Sequence, residues 1–179
     1  MQPTHPPDHE RRRGADAALS HVVRAQGEGE GQRARMVDVG GKEQTVRTAL
    51  ARAVLRFPAG LLAPVLRGDG PKGPIEEVAR TAGILAAKRT AELIPLCHPL
   101  GLDHVDVVFE RMGEDLLEVR CSARCTGRTG VEMEALTGAA LAALTVYDMT
   151  KALSKEIVIE RVELLEKTGG KSGAWCAPR

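Results

Sequence analysis

The chain predicts an α+β fold, a ferredoxin-like split βαβ sandwich with an antiparallel sheet and one extra short helix. Three observations predict it. Two extended runs, His104 to Glu110 and Leu116 to Cys125, flank a Met112-Gly113-Glu114-Asp115 turn, as in a β-hairpin. Thr129 to Lys151 is an unbroken Ala/Leu-rich stretch of helical character. With the neighbouring segments the order becomes β, α, α, β, β, α, β, which apart from the short helix is the split βαβ order.

The elements follow from residue chemistry in chain order. Residues 1–18 mix Pro, His, Asp and Arg without apolar periodicity and read as a disordered tail, leaving 19–179 as a single ferredoxin-like domain. Leu19 to Val23 can form a short edge segment, Gln26 to Gln32 is a Gly/Glu-rich loop, and regular order starts around Met36. Thr45 to Phe57 carries β-branched and small residues suited to a strand. Pro58 to Leu66 reads as a short helix opened by proline and stopped at Gly68. Pro74 opens a second helix reaching Leu93, with Val78, Ala82, Leu85 and Ala86 as its buried face, and Pro95 ends it. In the hairpin Val119, Cys121 and Ala123 recur every second residue and point to one side. After the long helix, Ile157 to Leu165 supplies the last strand.

Composition removes several classes of function. Twenty-five basic residues against 24 acidic give a net charge of +1, so no global field attracts nucleic acid or an anionic membrane. The four aromatics, Phe57, Phe109, Tyr147 and Trp175, are too few for a series of base-stacking platforms. Cys97, Cys121, Cys125 and Cys176 show no zinc spacing and no CxxC pair, which fits reduced thiols in a cytoplasmic protein. No stretch reaches the roughly 20 apolar residues of a membrane span, and the N-terminal MQPTHPPDHERRR lacks the apolar centre of a secretory signal.

The charged residues of the long helix are the most pointed signal. At about 100° and 1.5 Å per residue, Asp148 and Lys151 lie side by side one turn apart, a plausible acid/base pair. An exposed i,i+3 ion pair worth a few tenths of a kcal/mol accounts for the same two residues. Glu134 falls on nearly the same stripe but about 21 Å away along the axis, so one small substrate cannot reach both ends. If both ends are used, a second subunit completes the site.

Other segments carry chemistry more loosely. LIPLCHPL holds Cys97 and His98 between Pro95 and Pro99, a stiff loop able to present one imidazole to a ligand, and a structurally satisfied histidine accounts for the segment equally well. Nothing in the sequence lowers the Cys97 thiol pKa, so packing is its simpler role. Cys121 and Cys125 lie about 13 Å apart along a strand and read as fillers. TGRTGVEME places glycines and threonines before a helix N-terminus, where Glu132 and Glu134 also suit the dipole. Lys42, Lys72, Lys167 and Lys171 sit in Gly- or Pro-containing loops; any one of them alone reads more simply as a solvated surface lysine, while the four together suit a polyphosphate.

Six ordered blocks, MVDVGGK (36–42), AGILAAKRT (82–90), LIPLCHPL (93–100), TGVEMEALT (129–137), YDMTKAL (147–153) and KTGGKSG (167–173), closely resemble the MoaC family. That family makes cyclic pyranopterin monophosphate in molybdenum-cofactor (molybdopterin) biosynthesis. The resemblance covers roughly residues 19–175. It implies a lyase that rearranges (8S)-3',8-cyclo-7,8-dihydroguanosine 5'-triphosphate to the cyclic pterin with release of pyrophosphate. It also implies a homo-hexamer, a trimer of dimers with the site at a subunit interface. The implied rearrangement involves no redox change and so calls for no redox cofactor; Mg²⁺ could accompany the triphosphate, and the sequence spells out no metal-ligand cluster. By motif, Asp148, Lys151 and Lys72 match catalytic positions. Leu96, Cys97, His98, Met133, Glu134, Lys42, Arg47 and Lys167 match substrate-binding positions. The chain departs from the pattern at Thr150, where many members have Cys, at Pro74, where Asp is usual, and in the Gly/Glu-rich stretch after His21.

Overall fold

A computed structural model describes residues 22–23, 33–67 and 72–178. They fall into two compact units that part between Val37 and Asp38. In the first, strand β1 (Val22–Val23) pairs antiparallel with β2 (Arg33–Ala34). The expected edge segment at 19–23 therefore shows as Val22–Val23. The expectations for the 1–18 tail, the 26–32 loop and the Gly68 helix stop lie outside the described residues.

The second unit is built on β3 (Thr45–Arg56), whose alternation points Ala49, Ala51, Ala53 and Leu55 into the core. A turn in which the Leu61 amide donates to the Pro58 carbonyl at 3.1 Å leads into α1 (Leu62–Leu66). The helix thus starts four residues after the proline expected to open it. Helices α2 (Ile75–Lys88) and α3 (Thr90–Leu93) follow. The hairpin of β4 (His104–Met112) and β5 (Leu116–Gly127) forms as expected, with Gly113 at φ 77° in its turn. Then come α4 (Glu132–Thr150), β6 (Val158–Thr168) and the two-residue β7 (Trp175–Cys176).

The sheet order is β4-β5-β3-β6-β7, and every neighbouring pair is antiparallel. Because β3 and β4 both run against β5, they run parallel to each other with β5 between them. That is the split βαβ arrangement, extended at one edge by β7.

Helix α4 packs on β3, β5 and β6, and α2 packs on α4 and β4. Two expectations for the 74–93 helix change here. It breaks at Arg89, because the buried Thr90 hydroxyl donates to the Ala87 carbonyl at 3.0 Å and satisfies an acceptor of the ending helix. Its buried face is Ile75, Ala79, Gly83, Ala86 and Ala87, while Val78 and Leu85 are 43% and 47% exposed. Close approach decides this. A Cβ on Gly83 would stand 2.9 Å from the Gly138 carbonyl, so only a small-residue stripe lets α2 reach α4.

The opposite sheet face carries charge. Glu118 on β5 is fully buried beside Arg52 (2.9 Å) and Arg120 (2.6 Å), and Arg52 also bonds Glu163 at 2.8 Å. These pairs clip β3, β5 and β6 together across the sheet. Cys121 and Cys125 are buried core residues, as expected of fillers, and burial pushes the Cys121 thiol up to about 12. Among the described residues no helix is long and apolar enough to cross a membrane.

Candidate functional site

At the C-terminal end of α4 three expected residues meet. Lys151 Nζ lies 2.7 Å from Asp148 Oδ1, and Lys72 Nζ lies 2.9 Å from Asp148 Oδ2. Lys72 donates again to the Asp148 backbone carbonyl at 3.1 Å, which ties its loop to the helix end. Local sequence sets this geometry. Lys151 is the C-cap of α4, its amide bonded to the Tyr147 carbonyl at 2.8 Å, so one turn separates it from Asp148. After Lys72 the chain turns at Gly73 (φ 86°) and enters α2.

The electrostatics follow from that contact. Hydrogen bonds from Lys151 and Lys72 hold the Asp148 carboxyl down at about 2, and Asp148 raises the Lys151 ammonium above its ordinary value. A carboxylate so stabilised is a poor base near neutrality. Both ammonium groups donate to this one carboxylate, which holds them side by side. Thr150, the residue that departs from the family pattern, is buried, and its hydroxyl donates to the Val146 carbonyl at 2.7 Å. It takes no part in the cluster.

The N-terminal end of α4 holds a separate basic cavity of about 670 Å³, lined by Lys42, Arg47, Arg128, Lys167 and Lys171, with Glu43 and Glu132 as its carboxylates. Glycines shape it. Gly169 and Gly170 have φ of 92° and 74°, and a Cβ on either would strike the Val46 carbonyl or the Arg47 guanidinium. The β6–β7 loop can therefore lie flat against Arg47. Lys167 donates to the Ser172 hydroxyl, which fixes its ammonium on the same loop. The Arg47 Nε is buried without an acceptor.

Glu134 is 4% exposed in the first turn of α4. Burial pushes its carboxyl up to about 7 against its own backbone hydrogen bond, and Glu132 adds to the rise. The Leu96-Cys97-His98 loop lies at this end: burial first and Glu134 second raise the Cys97 thiol, the direction opposite to an activated nucleophile. His98 and Leu96 are half-buried in that loop, and Met133 is 38% exposed.

A family model described as the MoaC family matches residues 36–170. The chain belongs to the MoaC family. It is 55% identical over 147 residues to a cyclic pyranopterin monophosphate synthase of Novosphingobium aromaticivorans, covering 82% of this chain and 93% of that protein. A protein of the same name from Chloroflexus aurantiacus is 52% identical over 147 residues, covering 82% and 90%. Another from Chloroflexus aggregans is 53% identical over 144 residues, covering 80% and 87%.

Within one copy of this MoaC-family chain, the expected residues form two groups. Lys72, Asp148 and Lys151 make one; Lys42, Arg47 and Lys167, together with the Leu96–His98 loop and Met133-Glu134, lie around the other end of α4. From Glu134 to Asp148 the helix runs about 21 Å. Arg128 and Lys171 also line the cavity although the expected site residues do not include them, Lys171 being only one of four loop lysines in the sequence. Arg128 stood in TGRTG, a glycine-flanked cation directly before a helix, and that was the signal for it.

Proposed function

We propose that the chain is a cyclic pyranopterin monophosphate synthase, a phosphorus–oxygen lyase that converts (8S)-3',8-cyclo-7,8-dihydroguanosine 5'-triphosphate to cyclic pyranopterin monophosphate and pyrophosphate in molybdenum-cofactor biosynthesis. The observation that carries the reading is the Lys72–Asp148–Lys151 cluster in a chain 55% identical to a protein of that name. A substrate hydroxyl attacks the α-phosphorus, a new P–O bond closes the cyclic phosphate, and the bond to pyrophosphate breaks. Ring opening and pterin closure add proton transfers. In this mechanism Lys151 and Lys72 donate and recover those protons while Asp148 orients them, and Lys42, Arg47 and Lys167 neutralise the phosphates.

The rearrangement is redox-neutral, so the reading includes no redox cofactor. Mg²⁺ would enter only as a companion of the substrate's phosphates. Leu96, Cys97, His98, Met133 and Glu134 form the heterocycle-binding side, with the buried Glu134 carboxyl facing the polar edge of the guanine-derived ring.

The reading includes a shared site in a cytoplasmic homo-hexamer, a trimer of dimers. Two observations support it: one chain holds its two groups at opposite ends of α4, and Val78, Leu85 and Leu144, the last 51% exposed, leave bulky apolar side chains outside the helical layer. Incubation with the cyclic dihydro-GTP intermediate should yield pterin and pyrophosphate in equal amounts. Pyrophosphate without pterin, or neither product, would sink the proposal.

A further inference from the structure

Helix α4 carries Asp148 and Lys151 in its last turn, yet it lacks the common helix stop. A helix leaves its last carbonyls without intrahelical donors, and a glycine with positive φ just past the end often lets the chain turn back to satisfy them. Among the described residues no positive-φ glycine lies between Gly113 and Gly169, and no other residue type has positive φ. Side chains take that part instead. The Thr150 hydroxyl donates to the Val146 carbonyl at 2.7 Å and reaches the Tyr147 carbonyl at 3.4 Å. Lys72 donates to the Asp148 carbonyl at 3.1 Å, and the Leu153 amide donates to the Thr150 carbonyl at 2.8 Å. Lys151 thus follows a fully buried residue held by both its hydroxyl and its carbonyl, and its own amide bonds the Tyr147 carbonyl at 2.8 Å.

We propose that Thr150 is a positioning residue for the proton-transferring lysine: its hydroxyl locks the last turn of α4, and that lock holds the Lys151 ammonium level with Asp148 and Lys72. The role rests on the synthase reading above. Thr150 touches none of the three charged groups and acts through the backbone that carries Lys151. Packing cannot do this, because the side chains of Lys151 and Asp148 are 52% and 53% exposed. A lysine stem has many rotamers of its own, so its ammonium keeps one place only if the backbone beneath it is still. Helix ends fray, and a displacement of about 1 Å can cost a catalytic group as much as 100-fold in rate. Thr145 supplies the comparison within the same helix. Its hydroxyl makes the same kind of bond, to the Leu141 carbonyl at 2.7 Å, but on a turn that more helix already fixes from both sides. At 150 the bond closes the end. Thr150 is also a place where the chain departs from the family pattern, so the lock belongs to this chain.

Steady-state turnover of the cyclic dihydro-GTP intermediate by the full chain tests this, with wild type, Thr150→Val, Thr150→Ser and Thr145→Val. Valine keeps the branched shape and drops the hydroxyl, and the Val146 carbonyl keeps the amide partner that helix geometry gives it, so each variant should retain the wild-type circular dichroism spectrum. Thr150→Val should lower kcat about 3- to 10-fold, the change that one hydrogen bond can carry, and leave KM as it is, because other residues hold the ring and the phosphates. Thr150→Ser, which restores the donor, should restore kcat. Thr145→Val loses the same kind of bond and should turn over as wild type does. Hydrogen exchange followed by mass spectrometry reads the lock without substrate: the amides of Lys151 and Leu153 should exchange faster in Thr150→Val and at the wild-type rate in Thr145→Val. Equal losses of kcat in the two valine variants, a loss that serine fails to recover, a change confined to KM, or unchanged exchange in Thr150→Val would overturn the positioning role and leave the synthase reading standing. Wild-type protein that forms no pterin, whatever its exchange, would remove the synthase reading and this role with it.

Discussion

Asp148 lies between two ammonium groups, and its carboxyl, held at about 2, stays ionised through the working pH range. In the proposed mechanism catalysis therefore reads out through the lysines. Lys151→Ala should lower kcat about 100-fold or more while the protein stays folded, because a positioned acid or base typically contributes 10²–10⁴. Near-normal turnover would remove Lys151 from the mechanism. The Asp148–Lys151 contact was legible in the sequence because helix geometry converts a spacing of three into a distance. The Lys72 contact was not, since it joins residues 76 positions apart and only the family resemblance linked them. Glu134 gives a second test at this scale. Its carboxyl is raised to about 7, so between the ordinary value of 4.5 and about 7 the native state binds more protons than the unfolded one. Stability is then full below about 4.5 and declines as pH rises toward 7. Glu134→Gln should flatten that decline, measured as urea midpoints at pH 5 and pH 8; an unchanged slope would contradict the assignment.

Alternation and turn chemistry made the hairpin and the central strand readable, since a period of two with Gly113 between the runs admits little else. The face of α2 was different. Hydrophobicity favoured Val78 and Leu85, but tertiary contact selected the small residues around Gly83, where α2 and α4 meet backbone to backbone. Gly83→Ala should therefore destabilise by up to about 2 kcal/mol, overpacking of about 1–3 kcal/mol against a backbone carbonyl exceeding the roughly 1 kcal/mol of helix propensity gained. A raised melting temperature would mean that the helices yield. On the other sheet face, Glu118 is buried between two arginines that sequence alone could not place together. Glu118→Ala should cost about 1.5–3 kcal/mol in chemical denaturation, because it removes the buried carboxylate that both guanidinium groups share, while Arg52 keeps Glu163 and Arg120 keeps Glu110. A loss below about 1 kcal/mol would show that water already reaches that network.

One chain cannot bring Glu134 and Asp148 to the same small molecule, and this limit was already visible as about 21 Å of helix between them. What the sequence could not reveal is how the separation is closed, because no intrachain pattern encodes the placement of another copy. The exposed Val78, Leu85 and Leu144 offer apolar surface for that copy on the helical layer. The proposed shared site makes a quantitative prediction. Glu134→Gln and Asp148→Asn, each alone, should be nearly inactive, since each spoils every site. Mixed at equal amounts after dissociation and reassembly, half of the pairs carry one variant of each kind. In such a pair one site collects both substitutions and the other collects none, so random assembly should return about one quarter of wild-type activity. Glu134→Gln mixed with a chain bearing both substitutions should return nothing, because every site then lacks Glu134. If the single-variant mixture also returns nothing, although native mass spectrometry shows that the copies have exchanged, each chain works alone. The gap along α4 would then have to be closed by movement within one copy.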